Sequence, residues 1–159
     1  EAKSISHETT FSVDVTDSEV LRSCLLGLTE QVARRLRRHQ LYGRTVNLKV
    51  RYNDFRTISR AYTLPNPSHS TTEIWAAVSE QLLTRVDLQT QPVRLIGMGL
   101  SSLAKTRDWQ KTLFDDRSER DSEIDAATDA IKEKFGGEAI HRGSTFSTQQ
   151  KPSENQKRQ

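Results

Sequence analysis

Gln110, Leu113 and Phe114 stand at i, i+3 and i+4 in the peptide Gln110-Lys111-Thr112-Leu113-Phe114. That spacing lets one amide and two apolar side chains enter a small pocket on a partner. The amide supplies directional hydrogen bonds and the apolar pair supplies most of the affinity. A second set of residues suits phosphate. Lys49, Arg51 and Arg94, with Arg56 or Arg60, are spread over strand-like segments rich in Ser and Thr and close to Gly97 and Gly99. Lys and Arg neutralise phosphates, while hydroxyls and exposed amides fix register without reading bases. Catalytic patterns are missing. His7, His39, His69 and His141 have no metal-ligand spacing, and no phosphate-loop, nucleophile-elbow or zinc-protease motif occurs. Asp115-Asp116 sits in a polar linker, whereas a two-metal site needs carboxylates on rigid supports.

The elements that would position these residues follow from the hydrophobic pattern. Residues 3–13 read as a first strand. Thr16 with Glu19 reads as a capping box. Behind it Leu21, Leu25, Leu28, Val32 and Leu36 form one stripe of a helix that Gly43 is expected to end. Residues 44–53 alternate, with Val46, Leu48, Val50 and Tyr52 on one side and Asn47, Lys49, Arg51 and Asn53 on the other, the pattern of a half-buried strand. Residues 55–64 return as a third strand, and a bulge is expected there because Arg56 and Arg60 share parity with Ile58 and Tyr62. Residues 65–69 read as a loop, and Ser70 with Glu73 caps a second helix striped by Ile74, Val78, Leu82 and Val86. In the last strand, 93–103, Ile96, Met98 and Leu100 oppose Gly97 and Gly99. The order β-α-β-β-α-β predicts an α+β, two-layer domain: a four-stranded sheet with two helices on one face and the other face open.

Charge and composition bound the partners. Residues 1–113 hold 16 Lys/Arg and 11 Asp/Glu, a balance of +5, and residues 114–159 hold 8 and 10, a balance of −2. The folded part is the basic part, as suits an anionic polymer. A mean hydropathy of −0.72 and 33% apolar residues indicate that part of the chain lies outside a core. The expected boundaries are a domain over 1–103, a linker with the Gln110–Phe114 peptide over 104–118, a short helical extension over 119–143 (helix at 119–135), and a disordered tail over 144–159. Cys24 is the single cysteine, which excludes an internal disulfide, and it is expected to be a small buried thiol. No apolar run approaches the ~20 residues of a membrane span, so a cytoplasmic monomer is expected. The chain opens without Met inside a strand, as a piece of a longer protein would. An RNA-recognition module shares the element order but stacks bases on aromatics, and that aromatic pattern is missing here.

The segments KSISHETTF (3–11), DFRTISRAYTLP (54–65) and VRLIGMGLSSL (93–103) resemble, in order and spacing, three signature segments of the C-terminal "little finger" domain of Y-family DNA polymerases, in the bacterial DNA polymerase IV (DinB-like) branch. The resemblance implies a sheet face that grips template-primer duplex DNA in the service of translesion synthesis. It implies phosphate contacts from Lys3, Ser4 and Ser6, from Lys49 and Arg51, from Ser59 and Arg60, and from Arg94 and Gly97. Gly99 stands where some relatives carry a basic residue, which leaves a backbone contact there. Gln110, Leu113 and Phe114 are similar to the peptide that binds the sliding β-clamp, with Lys111 in place of the favoured Leu. Catalytic carboxylates and their Mg2+ belong, by the same resemblance, to a palm domain N-terminal to this one, so this chain is expected to need no cofactor and to incorporate no nucleotide. It is expected on the nucleoid. The alternative reading is a non-catalytic RNA-binding module.

Overall fold

A computed structural model describes residues 3–105 and 116–137. Strands β1 (Ser4–Val15), β2 (Gly43–Tyr52), β3 (Thr57–Ser68) and β4 (Val93–Ser101) form one antiparallel sheet in the order β1-β4-β2-β3. Helix α1 (Ser18–Arg38) joins β1 to β2. Helix α2 (Thr71–Ala76) continues as a π turn (Ala77–Leu82) and a 3₁₀ turn (Leu83–Arg85) before β4. The expected α+β order is thus observed. A third helix, α3 (Asp116–Phe135), lies where the sequence predicts one over 119–135.

The core lies between one sheet face and the helices. Val46, Leu48, Val50 and Tyr52 of β2 and Ile96, Met98 and Leu100 of β4 are buried against Leu21, Leu25, Leu28, Val32 and Leu36 of α1 and Ile74, Val78 and Leu82 of the second helical segment. Cys24 is half-buried, and burial raises its thiol pKa, which the Thr9 hydroxyl partly offsets. No helix among the described residues is long and apolar enough to cross a membrane.

Several local expectations need correction. Asp17, not Thr16, caps α1: its carboxylate accepts the Glu19 amide at 2.9 Å, so the helix starts one residue later than a capping box would require. Gly43 does not end α1. Gln40 takes the left-handed conformation (φ 55°), with Leu41 N–H donating to Leu36 O at 2.9 Å and Gln40 N–H to Arg37 O at 3.1 Å, the two bonds of a Schellman motif. Gly43 instead opens β2, where a Cβ would stand 2.7 Å from the Cβ of Leu100. The third strand begins at Thr57 rather than 55 and runs to Ser68, through residues read as a loop. Two prolines are tolerated there because β3 is an edge strand and need not donate outward. Its bulge lies opposite Gly43–Thr45 (Gly43 pairs with Ser68, Thr45 with Thr63), not between Arg56 and Arg60.

Candidate nucleic-acid interface

Strand pairing decides which side chains share the open face, because directly opposed residues point the same way. Gly97 pairs with Lys49 and Glu8, and Gly99 with Asn47 and Ser6. Ser101 pairs with Thr45 and Ser4, Ser59 with Lys49, and Thr57 with Arg51. The face opposite the helices therefore gathers Ser4, Ser6, Lys49, Arg51, Ser59, Gly97 and Gly99 of the expected residues. Lys3, exposed, immediately precedes β1. No aromatic side chain stands at the paired positions of this face.

The two glycines shape the surface. A Cβ on Gly99 would lie 2.6 Å from the Ser6 Cβ and 2.8 Å from Ile5 O, and one on Gly97 would lie 2.8 Å from the Glu8 Cβ. The backbone that approaches them is that of β1. Their missing side chains leave a groove of about 340 Å3, lined by Ser6, Glu8, Asn47, Lys49, Ser59 and Gly99 among others. Polar side chains are held along it. Asn47 Nδ2 donates to Ser101 Oγ (3.1 Å), and Arg51 Nε donates to Thr57 Oγ1 (2.8 Å).

Three expected cations stand elsewhere. Arg60 pairs with Leu48 and shares the parity of Ile58 and Tyr62, so it springs from the helix-bearing side of an edge strand. There it is exposed and donates to Ser59 O at 2.8 Å. Arg56 lies in the β2–β3 turn, where its guanidinium covers the Tyr52 ring at 5.0 Å and donates to Gln91 Oε1 at 3.2 Å. Arg94 occupies a bulge, since Arg51 pairs with Leu95 but Tyr52 pairs with Val93. It rests on the exposed ring of Phe55 at 4.6 Å. Gln110, Leu113 and Phe114 lie outside the described residues.

One member of the face went unread in the sequence. Glu8 places a carboxylate in the middle of it, 3.2 Å from Lys49 Nζ. Strand parity with Ser4 and Ser6 was the signal that would have found it. His7, its neighbour on the other side of β1, has its pKa lowered by burial and by the Arg35 guanidinium, 3.4 Å away. Among the described residues no group of three or more His, Cys, Asp or Glu is placed to hold a metal ion.

The sheet side away from the helices is thus an open, polar face with a shallow groove, carrying Lys49, Arg51 and the carboxylate of Glu8. Residues 2–113 match the C-terminal domain of the impB/mucB/samB family, and the chain belongs to that family. It is 39% identical over 142 residues to DNA polymerase IV of Desulfatibacillum aliphaticivorans, covering 87% of this chain and 36% of that protein. It is 36% identical over 147 residues to DNA polymerase IV 1 of Mesorhizobium japonicum (92% and 33%). The chain thus spans about a third of the length of these relatives. Its fold matches that of the little finger domain of Pol IV solved in complex with the β-clamp processivity factor, with a TM-score of 0.51 at 18% identity over 70% of this chain and 98% of that one. It also matches Dbh DNA polymerase in a post-insertion binary complex, with a TM-score of 0.51 at 14% identity over 65% and 29%.

Proposed function

We propose that this chain binds template-primer duplex DNA through backbone phosphates, without sequence preference, as the little finger of a Y-family polymerase engaged in translesion synthesis. The observation that carries this reading is the open face itself. Lys49 and Arg51 stand among Ser4, Ser6, Thr57, Ser59 and Ser101, with a glycine-floored groove between strands and no aromatic among the paired positions. Cations neutralise phosphates, and hydroxyls and amides position a backbone; a single-strand reader would need stacking platforms instead. Nucleotide addition and its Mg2+ are assigned to a palm domain elsewhere in the polymerase, and Gln110, Leu113 and Phe114 to a tether on the β sliding clamp.

The test is fluorescence-anisotropy binding of a labelled primer-template at several salt concentrations, with single-stranded RNA as competitor. Salt-sensitive binding that prefers the duplex is expected. Lys49→Ala should weaken all duplex sequences alike and reduce the salt slope by about one. An unchanged slope in Lys49→Ala and Arg51→Ala, or displacement by RNA at equal concentration, would overturn the assignment of this face.

A further inference from the structure

Helix α3 is docked with its polarity inverted. Over residues 120–135 the side turned to the domain carries Asp125, Asp129 and Lys132. Arg37 of α1 meets Asp129 at 2.6 and 2.9 Å and Asp125 at 3.3 Å, Asp125 accepts the Thr71 amide at 3.2 Å, and Lys132 reaches Glu30 at 3.8 Å. The apolar side chains face water instead: Ile124 is 56% exposed, Ile131 37% and Phe135 68%. At 100° per residue these three fall within about 40° of one another, on a flank roughly 105° from the docked stripe of Asp125, Asp129 and Lys132, and form a ridge about 16 Å long. The ion pairs fix which way that ridge looks.

We propose that the ridge of Ile124, Ile131 and Phe135 seats on the β sliding clamp, beside the pocket that takes Gln110, Leu113 and Phe114, as a second, weaker contact. This rests on the tether reading given above. Size and chain position choose the occupant. Three side chains offer on the order of a few hundred Å2, well under the ~1,000 Å2 that holds two free proteins together. A second copy of this chain would not stay on so small a patch unaided. A surface already held nearby would, because a short link raises its effective concentration to the order of millimolar. Asp115 alone separates Phe114 from the start of α3, and Ile124 follows about 12 Å along the helix axis. The surface next to the peptide's own pocket is therefore the one brought to the ridge.

The test measures binding of the full 159-residue chain to a bacterial β sliding clamp by calorimetry or surface plasmon resonance, for three proteins: the parent, the double variant Ile131→Ser/Phe135→Ser, and the triple variant Gln110→Ala/Leu113→Ala/Phe114→Ala. The double variant alters only exposed positions and should keep the parent's melting curve and duplex affinity. Its clamp Kd should rise about tenfold, while the triple variant should lose measurable binding. A double variant within twofold of the parent, beside a triple variant that no longer binds, would overturn the ridge proposal and leave the tether standing. Undiminished binding by the triple variant would sink the tether reading, and the ridge proposal with it. A parent that dimerises in sedimentation while the double variant stays monomeric, with equal clamp affinity, would assign the ridge to a second copy and overturn the proposal.

Discussion

Replacing Arg37 by Met tests how α3 is held. The Arg37 side chain is 13% exposed, those of Asp125 and Asp129 are 3% and 19% exposed, and the guanidinium also donates to His69 O (2.8 Å) and Thr71 Oγ1 (3.1 Å). Removing one partner of such a buried pair costs about 3–5 kcal/mol when the remaining charge stays buried. Here the carboxylates have an exit. Residues 120–135 bury no apolar side chain against the domain, so only the polar contacts oppose release of α3 into water. The cheaper outcome is undocking. We expect the sheet and α1 to keep the parent's stability to within about 1 kcal/mol, because their core does not include α3. Amides of α3 should lose protection by about 3 kcal/mol, which is roughly 100-fold faster exchange. Hydrogen exchange read by mass spectrometry on peptides from 116–137 and from β2 and β4 separates the two. Parental exchange across α3 would refute the view that Arg37 holds it, and equal loss across the sheet would refute the view that α3 is a separable layer.

Three further outcomes follow from the same geometry. Glu8→Gln removes the carboxylate beside Lys49 from an exposed pair worth about 0–1 kcal/mol. Stability should hardly move, while duplex affinity should rise roughly two- to fivefold at low salt and the gain should fade at high salt; weaker binding would show Glu8 to be needed on the face. Gly99→Ala drives a Cβ to 2.6 Å from that of Ser6, so β1 must shift from β4 at a cost of about 1–3 kcal/mol in urea unfolding, and a change under about 0.5 kcal/mol would refute that close packing. His7 has a lowered pKa because burial and Arg35 disfavour its charged form. The folded protein binds that proton less readily than the unfolded chain, so the associated stability is present above about pH 6.5 and declines as pH falls below it. His7→Gln should flatten the dependence of stability on pH in that window, and an unchanged slope would place its origin elsewhere.

The fold was legible because its signals are long. The α1 stripe and the β2 alternation each run for ten residues or more. The buried side of β2 is Val46, Leu48, Val50 and Tyr52, and that of α1 is mainly Leu, Val and Ala with Thr29 and Glu30 among them, so another register would expose most of this apolar surface. Sites at element ends were misread where two local chemistries compete. Thr16 and Asp17 both satisfy cap preferences, and the backbone chose Asp17. Gln40 and Gly43 are both compatible with a helix end, and Gln40 took the left-handed residue while Gly43 was needed against Leu100. The cations of the third strand were the hardest. Arg56 and Arg60 are charged residues at inward parity, which pattern alone converts into a bulge. The structure resolves the conflict by keeping the register and placing both at an edge or a turn, where inward parity costs no burial. Nothing in the sequence indicated that a helix would turn aspartates inward, because that choice depends on Arg37, about ninety residues away.

Among the described residues, the Lys49–Glu8 pair and the Arg37 cluster differ in burial, and burial separates their roles. Lys49 and Glu8 are 40% and 55% exposed, so water screens their attraction and an arriving phosphate can take Lys49 at little cost. Arg37 is enclosed by two aspartates, a carbonyl and a hydroxyl, and a phosphate entering there would first have to expel α3. The open face is thus exchangeable and the back is not. DNA binding should titrate away with salt at concentrations that leave α3 in place, because screening acts first on the exposed pair. Were α3 protection and duplex affinity to fall together along one salt series, the two networks would be coupled through the sheet, and this division of roles would be wrong.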